Sequence, residues 1–281
     1  MNVLSLFDGI SCGHVALDRA DIKVDKYFTS AIDTNAIKIS NKNYPNTIQL
    51  GDISSIDNKV IKNIGKIDLL IGGSPCQDIS FANLNSKGIY AEHSGLFFEY
   101  LRILKEIKPK YFLLENVVGK KESIDAITQW IGVKPIMINS SLVSGQGRER
   151  LYWTNIPGIT QPQDKEIKFY DVIDKERKWF PILPWSLKIW GTKRKVDCLR
   201  TIESEKSFCI TTNKSHPKNY YLNKERNMMT KLNADEVEKL QTLPLGYTDG
   251  APEGQRFKMI GNGWTVDVIA WILSFIPMVD K

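Results

Sequence analysis

Cysteine is scarce in this chain: only Cys12, Cys76, Cys198 and Cys209 occur, with no CxxC pair and no His/Cys cluster. That spacing excludes a disulfide framework and a zinc site as organising devices, and it fits a reducing compartment. No hydrophobic stretch reaches membrane-spanning length, and the sequence starts on an apolar strand instead of a charged segment followed by a hydrophobic one. The expectation is therefore a cytoplasmic protein without a membrane partner. Internal repeats and low-complexity tracts are also lacking, which excludes solenoid arrays and disordered linkers as the main architecture. A GxGxxG fingerprint is missing too, so a dinucleotide pyrophosphate is not the natural ligand of any turn here. Charge excess is small: a formal +6 leans toward polyanionic partners but decides nothing alone, since many proteins carry as much.

What is present is enough apolar residue, 42% of 281 positions, to bury a sizeable core, and the length suits one large α/β domain with a smaller lobe. In the first half, short apolar runs at 3–6, 24–29, 67–71, 111–114 and 136–138 alternate with helix-like segments. That alternation predicts βαβ units and a largely parallel sheet with helices on both faces. Leu96, Phe97, Tyr100, Leu101, Leu104 and Ile107 recur at three-and-four spacing ahead of Pro109, which predicts a helix packing one face on that sheet. From about 160 to 220 the pattern degrades into lysines and arginines among Trp179, Phe180, Trp185 and Trp190, with prolines at 181 and 184. This region reads as a separate small lobe. Beyond it, Asn233 begins a capped helix, and 266–276 supplies another after the turn Gly261-Asn262-Gly263.

The strand exits carry the chemistry. In open α/β sheets the ligand crevice lies beyond the carboxyl ends of the strands, and Gly72-Gly73-Ser74-Pro75-Cys76-Gln77 leaves the run 67–71 there. Cys76 is placed as a nucleophile; the plainer reading, a small buried hydrophobe, weighs about as much on this segment alone. The first strand runs into Phe7-Asp8-Gly9-Ile10-Ser11-Cys12-Gly13, a glycine-flanked turn whose amides can approach a ligand closely, and a single adenosine suits it better than a dinucleotide. Ile32-Asp33 and Asp52-Ile53 follow, acids able to hold ribose hydroxyls or an adenine amino group, although helix caps explain each as well. Glu115, in Glu115-Asn116-Val117, faces the same crevice as Cys76 if their strands are neighbours; a solvent-facing acid is the competing reading. Gln146, Arg148 and Arg150 alternate on an extended segment, three long donors on one face suited to an anion or a base edge, or else an exposed charged strand.

Taken in order, Phe7-Asp8-Gly9-Ile10 with Gly13, Gly51-Asp52-Ile53, Pro75-Cys76-Gln77, Glu115-Asn116-Val117, Gln146-x-Arg148-x-Arg150 and Gly261-Asn262-Gly263 resemble the motifs of the cytosine carbon-5 DNA methyltransferases. The set spans residue 3 to about 275. The wording Leu4-Ser5-Leu6-Phe7-Asp8-Gly9-Ile10, Gly72-Gly73-Ser74-Pro75-Cys76 and Gly263-Trp264 is similar to the de novo, vertebrate-type branch, and a bacterial or phage member is the expectation.

The resemblance implies a mostly parallel Rossmann-like methyltransferase sheet, with residues 1–158 and a returning segment 255–281 forming the catalytic and S-adenosylmethionine-binding domain. It implies a small target-recognition lobe over 159–254, supported by Ile210-Thr211-Thr212. Cys76 would add to carbon-6 of a cytosine flipped out of duplex DNA, Glu115 would meet ring nitrogen 3, Arg150 the exocyclic oxygen, and Arg148 would orient the nucleophile or the ring. Phe7 would stack on adenine, with Asp8, Gly9, Ile10, Ser11, Cys12 and Gly13 near the methionine part. Ile32, Asp33, Asp52, Ile53 and Leu96 would lie at the ribose and adenine, and Asn262, Gly263 and Trp264 would close the pocket. One departure stands out: where the family usually has a glutamate for the ribose hydroxyls, this sequence has Ala31, so Asp33 substitutes or the cofactor binds less tightly. Double-stranded DNA is the implied partner, with a cognate restriction endonuclease as a further one.

Two other readings stay open. A relative acting on transfer RNA keeps the same motifs but typically carries Cys-Phe-Thr, absent here. A catalytically silent binding relative would keep the fold alone, against which Cys76, Glu115, Gln146 and Arg150 are all retained.

Overall fold

The structure, a computed structural model, describes residues 1–75, 95–174, 176–181, 200–223, 225 and 227–277. Cys76, Gln77, Trp185, Trp190 and Cys198 lie outside the described residues. The chain divides into two compact units, one of Met1–Ile138, Glu149–Gln161 and Asp267–Lys281, the other of Asn139–Arg148 and Pro162–Val266.

The first unit is built on a seven-stranded sheet. Its strands are β1 (Asn2–Leu6), β2 (Lys26–Ser30), β3 (Ile48–Gln49), β4 (Leu69–Gly73), β5 (Tyr111–Val117), β6 (Ile136–Asn139) and β7 (Glu149–Thr154), in the order β3-β2-β1-β4-β5-β7-β6. Strands β1 to β5 pair in parallel, and β7 runs antiparallel to β5. The parallel strands are buried on both faces, which is why 69–71 and 111–114 read as unbroken apolar runs and 3–6 is interrupted only by the buried Ser5. Helices α1 (Cys12–Arg19), α2 (Thr34–Asn43), α3 (Asn58–Ile64), α4 (Gly95–Ile107) and α5 (Lys121–Ile131) connect them. Because parallel crossovers are right-handed, connections running from β1 toward β3 and those running from β3 toward β6 cover opposite faces. Packing follows this rule: Leu4, Leu6, Leu70, Phe112 and Leu114 share one cluster with Phe97, Tyr100, Leu101 and Ile127 of α4 and α5. The expected helix over 95–107 is found, with Phe97, Tyr100 and Leu101 among its buried residues.

The chain reverses direction across the sheet between β1 and β4: β2 and β3 lie to one side, β5 to the other. Such a switch point leaves a crevice beyond the strand exits, because neighbouring connections depart to opposite faces. The turn after β1 and the Ser74-Pro75 segment after β4 leave the sheet there.

The second unit holds a smaller sheet, β8 (Phe180–Pro181), β9 (Arg200–Thr201), β10 (Tyr220–Asn223) and β11 (Met228–Lys231), ordered β8-β11-β10-β9. Helices α6 (Phe169–Val172), α7 (Ala234–Leu240) and α8 (Glu253–Asn262) accompany it. Asn233 caps α7 as expected, in a reciprocal box: its side chain accepts from Glu236 N at 2.8 Å and Glu236 Oε2 accepts from Asn233 N at 2.8 Å. Trp179 packs edge-on against Tyr221 at 5.7 Å, and Tyr221 against Phe169 at 5.3 Å. The last helix, α9 (Val266–Leu273), buries Ile269, Ile272 and Leu273, and its Asp267 accepts from Arg19 of α1. No helix among the described residues is long and apolar enough to cross a membrane.

Candidate active site

The turn leaving β1 is held in an unusual backbone. Phe7, Gly9 and Ser11 have φ of 58°, 60° and 61°, a left-handed conformation that costs non-glycine residues roughly 1–3 kcal/mol each. Alternation of this kind makes a concave row of main-chain groups, and at Gly9 a Cβ would meet nothing within 4 Å, so the space outside the turn is open. Asp8 does not use its carboxylate outward. Its Oδ1 accepts from Ser5 Oγ at 2.6 Å and Tyr27 Oη at 2.8 Å, and its Oδ2 from Ser11 Oγ at 2.6 Å. Burial raises the Asp8 pKa, partly offset by the three hydroxyl donors. Asp8 N also donates to Ser30 O at 3.1 Å, which ties the exit of β1 to that of β2.

Ile10, Cys12 and Gly13 are buried, so they present backbone rather than side chain to any ligand. Ile32, after β2, is the reverse: 74% exposed, a large apolar side chain standing in solvent at a strand exit. Asp33 caps α2, accepting from Asn35 N and Ala36 N, and Asp52 caps a short 3-10 turn, accepting from Ser54 N and Oγ. Those bonds hold the exposed Asp52 carboxyl below the usual range, hence ionised at neutral pH. Ile53 is buried, and Leu96 is half-buried against the core. An exposed apolar side chain, a concave backbone turn and an ionised acid suit an adenosine bearing a charged amino-acid tail, the donor set S-adenosylmethionine requires.

At the neighbouring exits, β4 and β5 are in register with Gly73 opposite Glu115, so the position of Cys76 follows three residues after the partner of Glu115. On the other side of β5, Val117 pairs with Arg150 of β7. Arg150 Nε lies 2.9 Å from Glu115 Oε1, both side chains nearly buried at 15% and 11% exposure. The contact is an ion pair between two nearly buried side chains on neighbouring strands. Asn116 is 1% exposed and turns toward β4: its Nδ2 donates to Ser74 Oγ at 3.1 Å and Ser74 O at 3.4 Å, and its Oδ1 accepts from Val117 N at 2.8 Å. The segment carrying Pro75 is therefore gripped from β5. Gly72 leaves little room there: a Cβ would sit 3.0 Å from Leu6 O and 3.1 Å from the Tyr100 ring.

In the second unit, Gln146 and Arg148 enter a buried polar network. Arg148, 5% exposed, donates through Nη2 to Gly263 O at 2.9 Å and Gly261 O at 3.3 Å, and through Nη1 to Cys209 Sγ at 3.2 Å. Gln146 Nε2 donates to Leu240 O and Gln241 Oε1, and Gln241 Nε2 donates on to Ile260 O and Gly263 O. Gly261 backs onto Thr211, whose carbonyl oxygen would be 2.9 Å from an added Cβ. Asn262 is exposed at the end of α8, with Gly263 and Trp264 half-buried beyond it.

Of the residues singled out from sequence, Glu115 and Arg150 thus meet, the 7–13 turn, Ile32 and Asp52 lie at strand exits, and Arg148 is committed to the carbonyls of the 261–263 turn. Two residues had no motif to mark them, Gln241 as the centre of the buried network and Tyr27 as a donor to Asp8, while Asn116 lay inside the Glu115-Asn116-Val117 motif with no role assigned and is a clamp on Ser74. Only the polar atom of Tyr27 within an apolar run hinted that something must satisfy it.

The C-5 cytosine-specific DNA methylase family matches residues 1–128. Among relatives, the orphan methyltransferase M.SPRI of Bacillus phage SPR is 30% identical over 252 residues, covering 80% of this chain and 53% of that protein. The type II methyltransferase M.FnuDI of Fusobacterium nucleatum is 31% identical over 199 residues, covering 67% and 56%. The chain thus spans little more than half the length of these curated relatives. Among solved structures, S. pombe Dnmt2 methyltransferase superposes with a TM-score of 0.74 at 21% identity, over 98% of this chain and 97% of that one. Entamoeba histolytica EhMeth gives 0.77 at 20% identity, over 98% and 97%. These two establish the shared fold.

Proposed function

We propose that this chain, which belongs to the C-5 cytosine-specific DNA methylase family, transfers a methyl group from S-adenosylmethionine to carbon-5 of a cytosine in duplex DNA. The observation that carries the reading is the Glu115–Arg150 pair beside the exit of β4, three residues of chain away from Cys76. Cytosine carbon-5 is a poor nucleophile, and the ring must be activated. Addition of the Cys76 thiolate to carbon-6 converts the ring into an enamine while Glu115 donates a proton or hydrogen bond at nitrogen 3. Arg150 holds the exocyclic oxygen, where negative charge accumulates, and its charge contact with Glu115 keeps the two groups side by side. S-adenosylmethionine, when bound, supplies the electrophilic methyl group. The proton on carbon-5 then leaves to water, the bond to Cys76 breaks, and nitrogen 3 gives its proton back to Glu115 as aromaticity returns.

These atoms are stacked inside a duplex, so the base has to be everted, at about a few kcal/mol. For the cofactor, Phe7 and Ile32 provide apolar surface for the adenine, and the Asp52 carboxylate with the Ile53 backbone meets its polar edge. Ala31 offers the ribose no carboxylate, and Asp33, two residues on and engaged in capping α2, is only a partial substitute. Backbone of 8–13 meets the methionine part, Leu96 packs near the ring, and Asn262, Gly263 and Trp264 complete the set. Residues 159–254 act as the target-recognition lobe, lysines on phosphates and a few side chains on base edges. A cognate restriction endonuclease would fit the type II name borne by the Fusobacterium relative.

The test is a duplex bearing 5-fluorocytosine, incubated with the chain and S-adenosylmethionine and analysed by denaturing gel and intact mass. The expected result is a covalent protein–DNA adduct, lost in Cys76→Ser. An adduct that survives Cys76→Ser removes the nucleophile assignment, and methyl transfer to transfer RNA instead of duplex DNA redirects the substrate.

A further inference from the structure

Tyr27 belongs to none of the motifs above. It sits inside β2, 3% exposed, where an apolar residue would satisfy packing alone. Its hydroxyl nevertheless reaches across to β1 and donates to Asp8 Oδ1 at 2.8 Å. Ser5 and Ser11 donate to the same carboxylate, but both lie within the strand and turn that Asp8 itself belongs to. Tyr27 is the donor among these three that comes from a different strand, and β2 is the strand whose exit leads to the exposed Ile32. The carboxylate is consumed on both oxygens, so Asp8 reaches a ligand with its backbone. What the buried carboxylate does instead is hold together a turn in which Phe7 and Ser11 adopt left-handed backbone that neither residue favours. The tyrosine ring is itself fixed, with the His14 ring 4.5 Å away and the next ring, Tyr44, 3.8 Å beyond.

We infer that Tyr27 is a positioning residue for the cofactor: through the Asp8 carboxylate it fixes the 7–11 turn in the shape that receives S-adenosylmethionine. The inference rests on the cofactor reading given above. Without the Tyr27 hydroxyl, the Asp8 carboxylate keeps only the two donors from its own segment. The turn can then rotate toward ordinary backbone angles, and part of the cofactor's binding free energy is spent restoring it.

Tyr27→Phe deletes one oxygen and leaves the ring in the core. Binding of S-adenosylhomocysteine to the full chain is measured by calorimetry, alongside steady-state kinetics and thermal melting. The expected outcome is a cofactor Kd and KM raised about threefold to tenfold, the loss of one net hydrogen bond. The expected kcat at saturating cofactor and KM for DNA stay within about twofold, and adding Tyr27→Phe to Asp8→Asn produces little further change because both act through one carboxylate. A lowered melting temperature with unchanged Kd makes the hydroxyl merely structural and overturns the inference, as do additive effects with Asp8→Asn. Should Tyr27→Phe fail to fold, Ser5→Ala removes the other donor to Oδ1 and is read by the same criteria. Wild-type chain that binds no S-adenosylhomocysteine defeats the cofactor reading itself, whereas equal binding by wild type and variant defeats only the role of Tyr27.

Discussion

Replacing Glu115 with glutamine keeps the shape of the side chain and removes its charge and its proton-donating capacity. Two costs follow, and their sizes differ enough to be separated. Arg150 loses its ion partner in a site where the two side chains are only 15% and 11% exposed. Solvent still reaches the edge of the pair, so the stability loss is about 1–3 kcal/mol, below the cost of breaking a fully buried pair. A chain stable by about 5–15 kcal/mol stays overwhelmingly folded after that loss. The catalytic cost is larger: positioned acid–base groups contribute about 10²–10⁴-fold. The expected result is therefore a fall in kcat of two or more orders of magnitude, with a modest shift in the urea midpoint. The assay is transfer of a tritiated methyl group to duplex DNA at saturating cofactor, with a denaturation curve on the same preparation. A Glu115→Gln protein whose kcat lies within about fivefold of wild type refutes the reasoning, because the carboxyl group would then have no part in activating the ring.

Asn116→Ala leaves Ser74 without its side-chain clamp and Val117 N without its side-chain acceptor. It should lower kcat and adduct yield while leaving cofactor affinity unchanged, and a loss confined to cofactor Kd would contradict the clamp. Arg148→Met keeps the apolar stem and removes the donors to Gly261 and Gly263. The urea midpoint should drop by the equivalent of about 1.5–3 kcal/mol, and an unmoved midpoint would mean that the network does not depend on the guanidinium. Ala31→Glu, restoring the family's usual acid, should tighten S-adenosylhomocysteine binding about tenfold by calorimetry; no change would mean that Asp33 already serves. Burial lowers the His14 pKa against the opposing pull of Asp18 and Asp8. The unfolded chain therefore takes up a proton on His14 near pH 6.5, which the folded chain resists, and stability falls as the pH drops through that region. In His14→Phe the melting temperature should fall less steeply below about pH 6.5, and an unaltered slope would assign the dependence elsewhere.

Sheet and site were legible in the sequence to different depths. Strands buried on both faces announce themselves as apolar runs, and those at 3–6, 67–71 and 111–114 correspond to β1, β4 and β5. The Asn233 cap was readable because its partner Glu236 is only three residues away. Of the expected alternation of Gln146, Arg148 and Arg150 on one face, only Arg150 lies in β7; Gln146 and Arg148 precede the strand and turn into the buried network instead. The paired residues of β7 are Arg150 to Thr154, and Trp153, fully buried, draws its place from β5 across the sheet. The small sheet of β8 to β11 went unread, since strands of two to four residues rich in tyrosine, methionine and lysine carry too little periodicity to register.

By itself the sequence determined the family and the order of the chemical groups, because turns, strand exits and caps are local and need only neighbouring residues to specify them. It left each acid with two meanings. Tertiary structure decided among them by bringing distant donors to hand. Asp8 faces inward because Ser5, Ser11 and Tyr27 surround it, Arg148 serves the 261–263 turn because those carbonyls lie within reach, and Glu115 meets Arg150 because β5 pairs with β7. Hydrogen bonds and ion pairs act over a few ångströms, so their partners are fixed only after strand order has set which parts of the chain are adjacent.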